Sequence, residues 1–316
     1  MICERCRVRE AVLTHRQLGQ NLCVDCFNRI FERKIRKTLS NTIEPGDHII
    51  VAVSGGKDSI ITLLMIERYR RSHGGFTAEA LAIDEGIQGY RDKALEFVYK
   101  HCKRLGVRLT TASFKEYYGF TVDMIASQLP KDHIRTPCTY CGVLRRRLLN
   151  VKARELGATK LATGHNLDDI AQAYLMNLIR GDMYSLAKLV KPPIPREGLI
   201  RRIMPLREIY ERESLQYAIL NKIEVYSRAC RYRMGMRTIV RQYLDTVEEK
   251  IPGAKYNFTK AIEDAVKPVW EKIVAGVKLK RCKICGEPTS REVCRVCILL
   301  QDLERYLKGF SLRRYW

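Results

Sequence analysis

The stretch SGGKDS, residues 54–59, directly follows the apolar run IIVAV of residues 49–53. A β-branched run of this length predicts a buried parallel strand. The two glycines allow a sharp turn that brings backbone N–H groups close to an anion. Residues 58–71 predict a helix whose positive N-terminus faces the same anion. The stretch therefore predicts a phosphate-binding loop, and its spacing is not that of Walker A.

Composition points to a polyanionic partner. The 316 residues include 57 Lys and Arg against 35 Asp and Glu, a net charge of +22. Such an excess favours RNA or DNA over a membrane surface. No apolar run approaches the length of a membrane span, and the first residues, MICERC, lack the apolar core of a signal peptide. We therefore expect a cytosolic protein, in which twelve cysteines indicate metal or redox chemistry rather than disulfides.

Eight cysteines form one set of four near each end of the sequence. The first set is Cys3, Cys6, Cys23 and Cys26, and the second is Cys282, Cys285, Cys294 and Cys297. Each set offers four thiolates from two Cys-x2-Cys turns, which suits closed tetrahedral zinc. A rubredoxin-like iron site has the same ligands and stays open as an alternative. Neither module has enough apolar residues to fold alone, so metal binding is expected to supply most of its folding free energy.

Three central cysteines form a different kind of group. Cys138 and Cys141 make one Cys-x2-Cys pair, and Cys230 is the third candidate member, about ninety residues further on. Three thiolates leave one coordination position open, which is typical of an iron–sulfur cluster with one non-protein ligand. A redox cysteine pair, or a merely buried Cys230, fits the spacing too. Cys102 lies on a predicted helix and is interpreted as a packed core thiol.

Strands and helices alternate along the middle of the sequence. Strands are predicted at 78–83, 107–112 and 160–163, and helices at 90–105, at 142–156 and from 167. This alternation predicts an α/β fold with a doubly wound parallel sheet. Polar residues follow three of the strands, at 54–59, 84–86 and 162–169. Because parallel strands end at one edge of a sheet, these three stretches are expected to meet in one crevice.

The flanking regions complete the predicted organisation. An amphipathic basic helix is expected at 27–39, a proline-rich connector at 191–198, mainly helices over 210–275 and a last helix at 298–308. We interpret the chain as a zinc module with a basic helix (1–39), a catalytic domain with the central cysteines (40–250), and a helical segment with a second zinc module (251–316).

Together these motifs resemble a known family. The loop at 54–59, the CTYCG motif at 138–142, the ATGHNLDD run at 162–169, LIRGD at 178–182, Cys230 and the two four-cysteine sets occur in one chain. The set is similar to the tRNA 2-thiolation enzymes of the TtuA/NcsA (CtuA) group, members of the ATP-pyrophosphatase (PP-loop) superfamily. The resemblance covers essentially the whole chain and implies an adenine nucleotide α-hydrolase-like catalytic domain.

The resemblance implies a two-step reaction. ATP adenylates the C2 oxygen of a tRNA uridine at wobble position 34 or of ribothymidine at position 54, and sulfur then displaces AMP. It also implies a 4Fe-4S cluster on Cys138, Cys141 and Cys230, with the fourth iron free to carry sulfur. The implied sulfur donor is a ubiquitin-like carrier protein or sulfide, and a homodimer is a further expectation. A persulfide route on the same cysteines, without a metal, remains the alternative.

The motifs and the resemblance together predict roles for the residues expected to line the crevice. The residues expected to bind ATP are Ser54, Gly55, Gly56, Lys57, Asp58, Ser59, Asp84, Gly164, His165 and Asp169. Lys57 would stabilise the departing pyrophosphate, and Asp58 either caps a helix or holds Mg²⁺. Asp168 and Asp169 open a predicted helix, and Asp169 is preferred as the metal ligand or base. Arg145, Arg146 and Arg147 are candidates for tRNA phosphates, with a solvated basic face as the alternative.

Two other functions use parts of the same sequence. The loop at 54–59 also serves enzymes that attach an amine, as in tRNA lysidine synthesis, but an amine nucleophile has no need of the central cysteines. A zinc-ribbon RNA-binding protein with a degenerate nucleotide fold would not need the intact loop. The predicted function is therefore ATP-dependent tRNA thiolation.

Overall fold

The computed structural model describes residues 1–191, 198–275 and 279–309. Residues 192–197, most of the predicted proline-rich connector, lie outside this part of the chain. The strands are β1 (Leu13–His15), β2 (Gln20–Leu22), β3 (His48–Ala52), β4 (Thr77–Asp84), β5 (Leu109–Ser113), β6 (Lys160–Thr163), β7 (Arg201–Ile203), β8 (Lys280–Arg281) and β9 (Pro288–Thr289).

The helices of the first half are α1 (Val24–Ser40), α2 (Lys57–His73), α3 (Arg91–Leu105), α4 (Phe114–Tyr118), α5 (Val122–Gln128) and α6 (Pro137–Glu155). Those that follow are α7 (Leu167–Ile179), α8 (Met183–Val190), α9 (Glu211–Leu220), α10 (Met236–Lys250), α11 (Ala254–Val266), α12 (Trp270–Ala275) and α13 (Arg295–Glu304), with a 3-10 turn at Lys267–Val269.

A five-stranded parallel sheet organises the molecule. Its strand order is β5-β4-β3-β6-β7. The chain moves outward from β3 to β5, then returns to place β6 on the other side of β3, so the strand order reverses between β3 and β6. Ligands of open α/β sheets bind at such a switch point, beyond the carboxyl ends of the strands. The predicted doubly wound parallel sheet is confirmed.

Alternate residues of β3 enter different cores, which is why the run IIVAV has no polar position. Ile49 and Val51 pack into a cluster with Phe31 of α1 and Ile61 of α2. Ile50, on the opposite face, packs into a second cluster with Leu144 of α6. A strand covered by helices on both faces must be apolar throughout.

The predicted elements of the sheet agree with the structure to within two or three residues, whereas two predictions elsewhere need correction. Helix α6 begins at Pro137 rather than near residue 142, because proline is well suited to the first turn of a helix. The stretch 221–235, predicted to be mainly helical, contains no helix. It crosses the carboxyl edge of the sheet, where Tyr226 bonds to Gly55 and Gly89, and Arg231 and Tyr232 bond to Asp123. The sequence analysis does not predict the short elements β1, β2, β7, β8, β9, α4, α5 and α8.

The N-terminal four-cysteine module packs against α9 through a buried polar contact. His15 and Lys34 both contact the carboxylate of Glu213 in α9, at 2.9 and 2.8 Å. Nearby, the rings of Phe31 and Tyr217 stack with centroids 4.2 Å apart. The module therefore shares the core beneath α1, α2 and α9.

The C-terminal residues also join the main cores. Leu300 and Leu303 of α13 are buried in the same cluster as Tyr140 and Leu144 of α6. Lys255 of α11 is buried and forms ion pairs with Asp168 and Asp245. Within the described ranges, no helix is long and apolar enough to cross a membrane.

The packing of α13 predicts a large effect of truncating Leu300. Because deleting a buried leucine side chain leaves a cavity, Leu300→Ala should lower the free energy of unfolding by about 2–5 kcal/mol. Leu215→Ala is the matched control, since Leu215 is 49% exposed, and it should change stability by less than about 0.5 kcal/mol. Urea denaturation measures both, and equal effects would mean that α13 is not part of the core.

Candidate active site

The loop at 54–59 closes tightly between β3 and α2. The hydroxyl of Ser59 accepts a hydrogen bond from the Ser54 backbone N–H at 3.0 Å and donates to the Gly56 carbonyl at 2.9 Å. Gly55 has φ +85°, and a Cβ at this position would lie 2.2 Å from the Ala94 carbonyl oxygen. Glycine is therefore required there by both the backbone conformation and the close approach of α3.

Lys57 stands at the start of α2 between two carboxylates. Its ammonium lies 2.8 Å from Asp58 Oδ2 and 3.3 Å from Glu211 Oε1. Burial disfavours the ammonium, but the two carboxylates outweigh this effect and raise the pKa of Lys57. The other oxygen of Asp58, Oδ1, is buried without a hydrogen-bond partner. Asp58 is thus placed to accept a cation, and the N-cap position belongs to Gly56.

The loop after β6 meets the phosphate loop directly. A Cβ on Gly164 would lie 2.8 Å from both the Asp58 carbonyl carbon and the Ser59 nitrogen. Since both atoms are backbone, only glycine fits between the two loops. Two of the stretches predicted to line one crevice, 54–59 and 162–169, therefore meet at this edge of the sheet, with Gly164 at the contact.

The two aspartates of this loop have different environments. Asp168 is buried, is paired with Lys255 and accepts a hydrogen bond from the Glu211 backbone N–H at 2.7 Å. Asp169 is partly accessible, lies 3.3 Å from Arg237 and accepts a 3.4 Å bond from Asn166 in a capping box. Burial raises the pKa of Asp169, while Arg237 opposes this shift. Both carboxylate oxygens of Asp168 are therefore bonded to protein groups, whereas Asp169 is accessible enough to bind a ligand.

His165 and Asp84 border the same crevice. The Nδ1 atom of His165 lies 2.8 Å from Thr163 Oγ1. The ring is reached from the crevice, but the surrounding protein desolvates it, and nearby arginines add positive charge. Both effects lower the pKa of His165 to about 4, so the ring is neutral at physiological pH. Asp84 ends β4, and its Oδ1 accepts a 2.7 Å bond from Gly86 N–H.

The central cysteines come from two separate parts of the chain. Cys138 is exposed and Cys141 is buried, both in the first turns of α6. Cys230 is partly buried, in the irregular stretch after α9, and packs against the cluster that contains Cys141. Burial raises the pKa of the Cys141 thiol to about 12, with Arg145 acting in the opposite direction. Cys102 is buried in α3, and burial raises its pKa to about 11, which confirms a packed core thiol.

The stretch that carries Cys230 lies against the phosphate loop. The Tyr226 backbone N–H donates to the Gly55 carbonyl at 2.9 Å, and its hydroxyl donates to the Gly89 carbonyl at 3.1 Å. Beyond Cys230, Arg231 and the hydroxyl of Tyr232 bond to Asp123, at 2.6 and 2.8 Å. Contacts on both sides thus hold Cys230 at the same edge of the sheet as the ATP loop.

A buried carboxylate joins the loop to α6. Glu85 is fully buried and accepts hydrogen bonds from Arg91 and, at 2.9 Å, from Arg145. Arg91 also donates to the Ser54 carbonyl at 2.7 Å. Burial alone would favour a protonated carboxyl, but the two arginines prevail and lower the pKa of Glu85. The sequence places Glu85 at the crevice but does not reveal this connection to Cys141, four residues before Arg145.

The arginine run 145–147 divides among three environments. Arg145 is paired with Glu85, and Arg147 lies 3.1 Å from Glu287 and 3.5 Å from Cys285 Sγ. Arg146 is exposed between them. Two of the three candidates for tRNA phosphates therefore have protein partners, and Arg147 connects α6 to the second four-cysteine module.

Both four-cysteine sets converge in space. In each set the four sulfur atoms all lie within 4.8 Å of one another. In the second set, backbone N–H groups point at sulfur, with Cys294 N donating to Cys282 Sγ at 3.2 Å. In the part of the chain that the structure describes, the central cysteines do not form so close a group.

The sequence analysis does not identify two residues that contact the candidate site. Glu211 contacts Lys57 from α9, and Arg237 contacts Asp169 from α10, both in a region predicted only as mainly helical. Neither residue lies in a motif or near a glycine-rich turn. Only the packing of α9 and α10 against the crevice reveals them.

Comparisons with known proteins agree with this geometry. A family model described as "PP-loop domain" matches residues 27–247. The chain is 33% identical over 320 residues to "Cytoplasmic tRNA 2-thiolation protein 1" of Chlamydomonas reinhardtii, covering 99% of this chain and 88% of the relative. It is 36% identical over 300 residues to the protein of that name in Caenorhabditis briggsae, covering 94% of this chain and 79% of the relative.

A solved structure is similar over nearly the full length. It is the U34-tRNA thiolase NcsA from Methanococcus maripaludis, described with its 4Fe-4S cluster. The TM-score is 0.80 at 32% identity, and the match covers 96% of each chain.

The parallel sheet, its switch point and the loop at 54–59 define a protein of the PP-loop class, which binds ATP. Within that class, the chain belongs to the family of tRNA 2-thiolation proteins. The predicted family is thereby confirmed.

The contact at Gly164 predicts a steric effect on ATP binding. Overpacking at a tight contact costs about 1–3 kcal/mol, so Gly164→Ala should displace the first turn of α2 and weaken ATP binding about tenfold. Gly142→Ala is the control, because a Cβ there would have no atom closer than 4.0 Å. Calorimetric titration measures the affinity of both variants for ATP. Equal affinities would show that the two loops can move apart without loss of ATP binding.

Proposed function

We propose that the chain is an ATP-dependent tRNA sulfurtransferase that replaces the C2 oxygen of uridine at position 34 with sulfur. The observation that carries this proposal is the contact of Tyr226 with Gly55, which holds the segment of Cys230 against the ATP loop. Adenylation and sulfur transfer act on the same C2 carbon, so both sets of groups must reach it. The choice of U34 follows the named substrate of the NcsA structure.

In the first step, the C2 oxygen of uridine attacks the α-phosphorus of ATP and pyrophosphate leaves. The N–H groups of the loop and the start of α2 bind the phosphates. Lys57 exchanges its contacts with Asp58 and Glu211 for phosphate oxygens and stabilises the charge of the leaving pyrophosphate. Asp58, with its unpartnered buried oxygen, and Asp169 are the residues that would hold Mg²⁺.

In the second step, a sulfur nucleophile adds to C2, and AMP leaves with the former C2 oxygen. The product carries C2=S, and with sulfide as donor no electron transfer is needed. Sulfide would supply the sulfur directly. If the thiocarboxylate of a ubiquitin-like carrier protein supplies it, water then cleaves the acyl C–S bond of the adduct, and the carrier leaves as a carboxylate. His165 is neutral, so it adds no positive charge beside the adenylated base.

The residues around the central cysteines fit a 4Fe-4S cluster. Cys138, Cys141 and Cys230 would hold it, and the positive end of α6 with Arg145 would offset its negative charge. A four-iron cluster is wider than a single ion, which agrees with thiols that lie farther apart than those of the terminal sets. When bound, the cluster would supply an iron with a position open to an external sulfur ligand.

The central cysteines should therefore behave as one unit. Replacing any one of them with Ala should remove the iron and abolish thiolation, because two thiolates do not retain the cluster, while ATP-dependent adenylation of tRNA persists. Anaerobically purified protein should contain about four iron atoms per chain and lose its absorbance in air. Iron analysis measures the cluster content, mass spectrometry of tRNA nucleosides measures thiolation, and an AMP–tRNA assay measures adenylation.

Cys102→Ala is the matched control, since this thiol is buried away from the group. It should retain both iron and thiolation. Full thiolation by strictly iron-free protein would contradict the cluster and favour a persulfide route through Cys141 and Cys230. Loss of adenylation in all three variants would mean that the cysteines support the ATP site instead.

The terminal four-cysteine sets fit structural zinc. Four convergent thiols, with backbone N–H groups directed at sulfur, form a closed site that leaves no position for a substrate. Arg147 donates to Cys285 from outside the set and so orients one ligand. Zinc in the second set would thereby stabilise the attachment of this module to α6.

Cys294→Ser should reduce the zinc content from about two ions per chain to about one and lower thermal stability, because metal binding contributes folding free energy. Cys102→Ser, which lies outside both sets, should retain both ions. Metal analysis and thermal unfolding measure these effects. A variant of normal stability with specific loss of thiolation would instead indicate a catalytic metal in this set.

A further inference from the structure

Two arginines near the crevice have no acidic partner. Arg145, Arg147 and Arg237 each lie within 4.0 Å of a carboxylate. Over the described ranges, Arg146 and Arg202 have none, although Arg146 lies between two paired arginines of the same helix. Because protein cations near one another are normally balanced by acids, this pair is a cationic site without its counterion.

The two arginines come together through the sheet. Arg202 lies on β7 in register with Leu161 of β6, so both side chains point to the face that α6 covers. A guanidinium nitrogen of Arg202 lies 3.5 Å from the Arg146 carbonyl oxygen. One arginine thus comes from the sheet edge and the other from the helix that carries Cys138 and Cys141.

The electrostatic environment supports this grouping. Although Arg146 is exposed, the protein around its guanidinium and the charges of Arg202, Arg145 and Arg237 lower its pKa. The same arginines surround His165 and disfavour its protonation. A bound anion would relieve this repulsion.

We propose that Arg146 and Arg202 form a subsite for a backbone phosphodiester of the RNA substrate, next to the nucleotide being modified. This inference rests on the proposed function and assigns part of its substrate site. Positively charged side chains hold a nucleic acid by its backbone phosphates, which leaves the base free to reach His165 and the crevice.

The position of the pair favours RNA over the phosphates of ATP. The ATP loop follows β3, and β7 lies two strands away in the sheet. At about 4.8 Å per strand, the two positions are separated by about 10 Å across the sheet. The ATP loop also has Lys57 and the start of α2 for its own phosphates, so it does not need these arginines.

The test compares Arg202→Gln and Arg146→Gln with Arg201→Gln. Arg201 precedes Arg202 on β7, is similarly half-buried, and points to the opposite face of the sheet. An unmodified tRNA transcript with uridine at position 34 is titrated from 50 to 200 mM salt. Each subsite variant should bind several-fold more weakly at the lower salt and reduce the slope of log K against log salt by about 0.7–0.9, the value for one phosphate contact.

Further measurements distinguish loss of a phosphate contact from misfolding and from an effect on ATP binding. Arg202→Lys should restore most of the binding, because a phosphate accepts a point charge, and thermal unfolding should be unchanged in every variant used. ATP affinity, measured by calorimetry without tRNA, should stay at the wild-type value. Wild-type protein that binds tRNA but never thiolates it would contradict the proposed function while leaving the subsite supported by the binding data.

Three outcomes would overturn the inference. The first is that Arg202→Gln binds tRNA with the affinity and salt slope of Arg201→Gln. The second is that ATP affinity falls in the subsite variants while the salt slope for tRNA stays constant, which would assign the cluster to ATP. The third is failure of Arg202→Lys to restore binding, which would indicate a packing role.

Discussion

The buried carboxylate of Glu85 is the constraint on which the arrangement of the site depends. It accepts hydrogen bonds from Arg91, which also binds the Ser54 carbonyl, and from Arg145 on α6. A buried charge is strongly destabilising once a partner is removed, so these groups cannot move independently. The end of β4, the start of α3, the ATP loop and α6 are therefore held in one relative position. The loop at 54–59 and Cys141 are thus held relative to one another by this group of ion pairs.

Helix α6 carries most of the remaining connections. Its first turns hold Cys138 and Cys141, and its apolar side packs beneath the sheet against α13. Its three consecutive arginines point to different places because side chains on a helix are about 100° apart. Arg145 bonds to Glu85, Arg146 faces the crevice, and Arg147 bonds to Glu287 of the C-terminal module. The C-terminal four-cysteine set, which is far from the loop at 54–59 in the sequence, is thereby joined to the helix that carries two of the central cysteines.

The distribution of charge explains how a chain of net charge +22 remains folded and still attracts a polyanion. Many of its basic side chains are in ion pairs, including the buried Lys255 with Asp168 and Asp245. Around His165, desolvation by the surrounding protein and then the charges of the nearby arginines, among them Arg146 and Arg202, keep the pKa of the imidazole low. In the function that we propose, this positive charge attracts RNA toward the reactive groups, because field lines concentrate in clefts.

Sequence alone determined the features that depend on local chemistry. The apolar run 49–53 and the glycine turn after it predicted β3, the ATP loop and α2, since strand burial, turn conformation and helix N-termini are encoded within a few residues. The spacing of the terminal cysteines predicted two four-thiol sets, which the structure brings together. The order of strands and helices predicted a parallel sheet with its ligands at one edge.

Tertiary structure decided which of the charged residues are free to act. Arg145, Arg146 and Arg147 are equivalent in the sequence, but Glu85 and Glu287, distant in the chain, pair with two of them. Glu211 and Arg237 reach the crevice only through the packing of α9 and α10, and the stretch 221–235 is irregular because it bonds to the loops it crosses. Ion pairing and burial depend on contacts between residues remote in sequence, so no local pattern contains them.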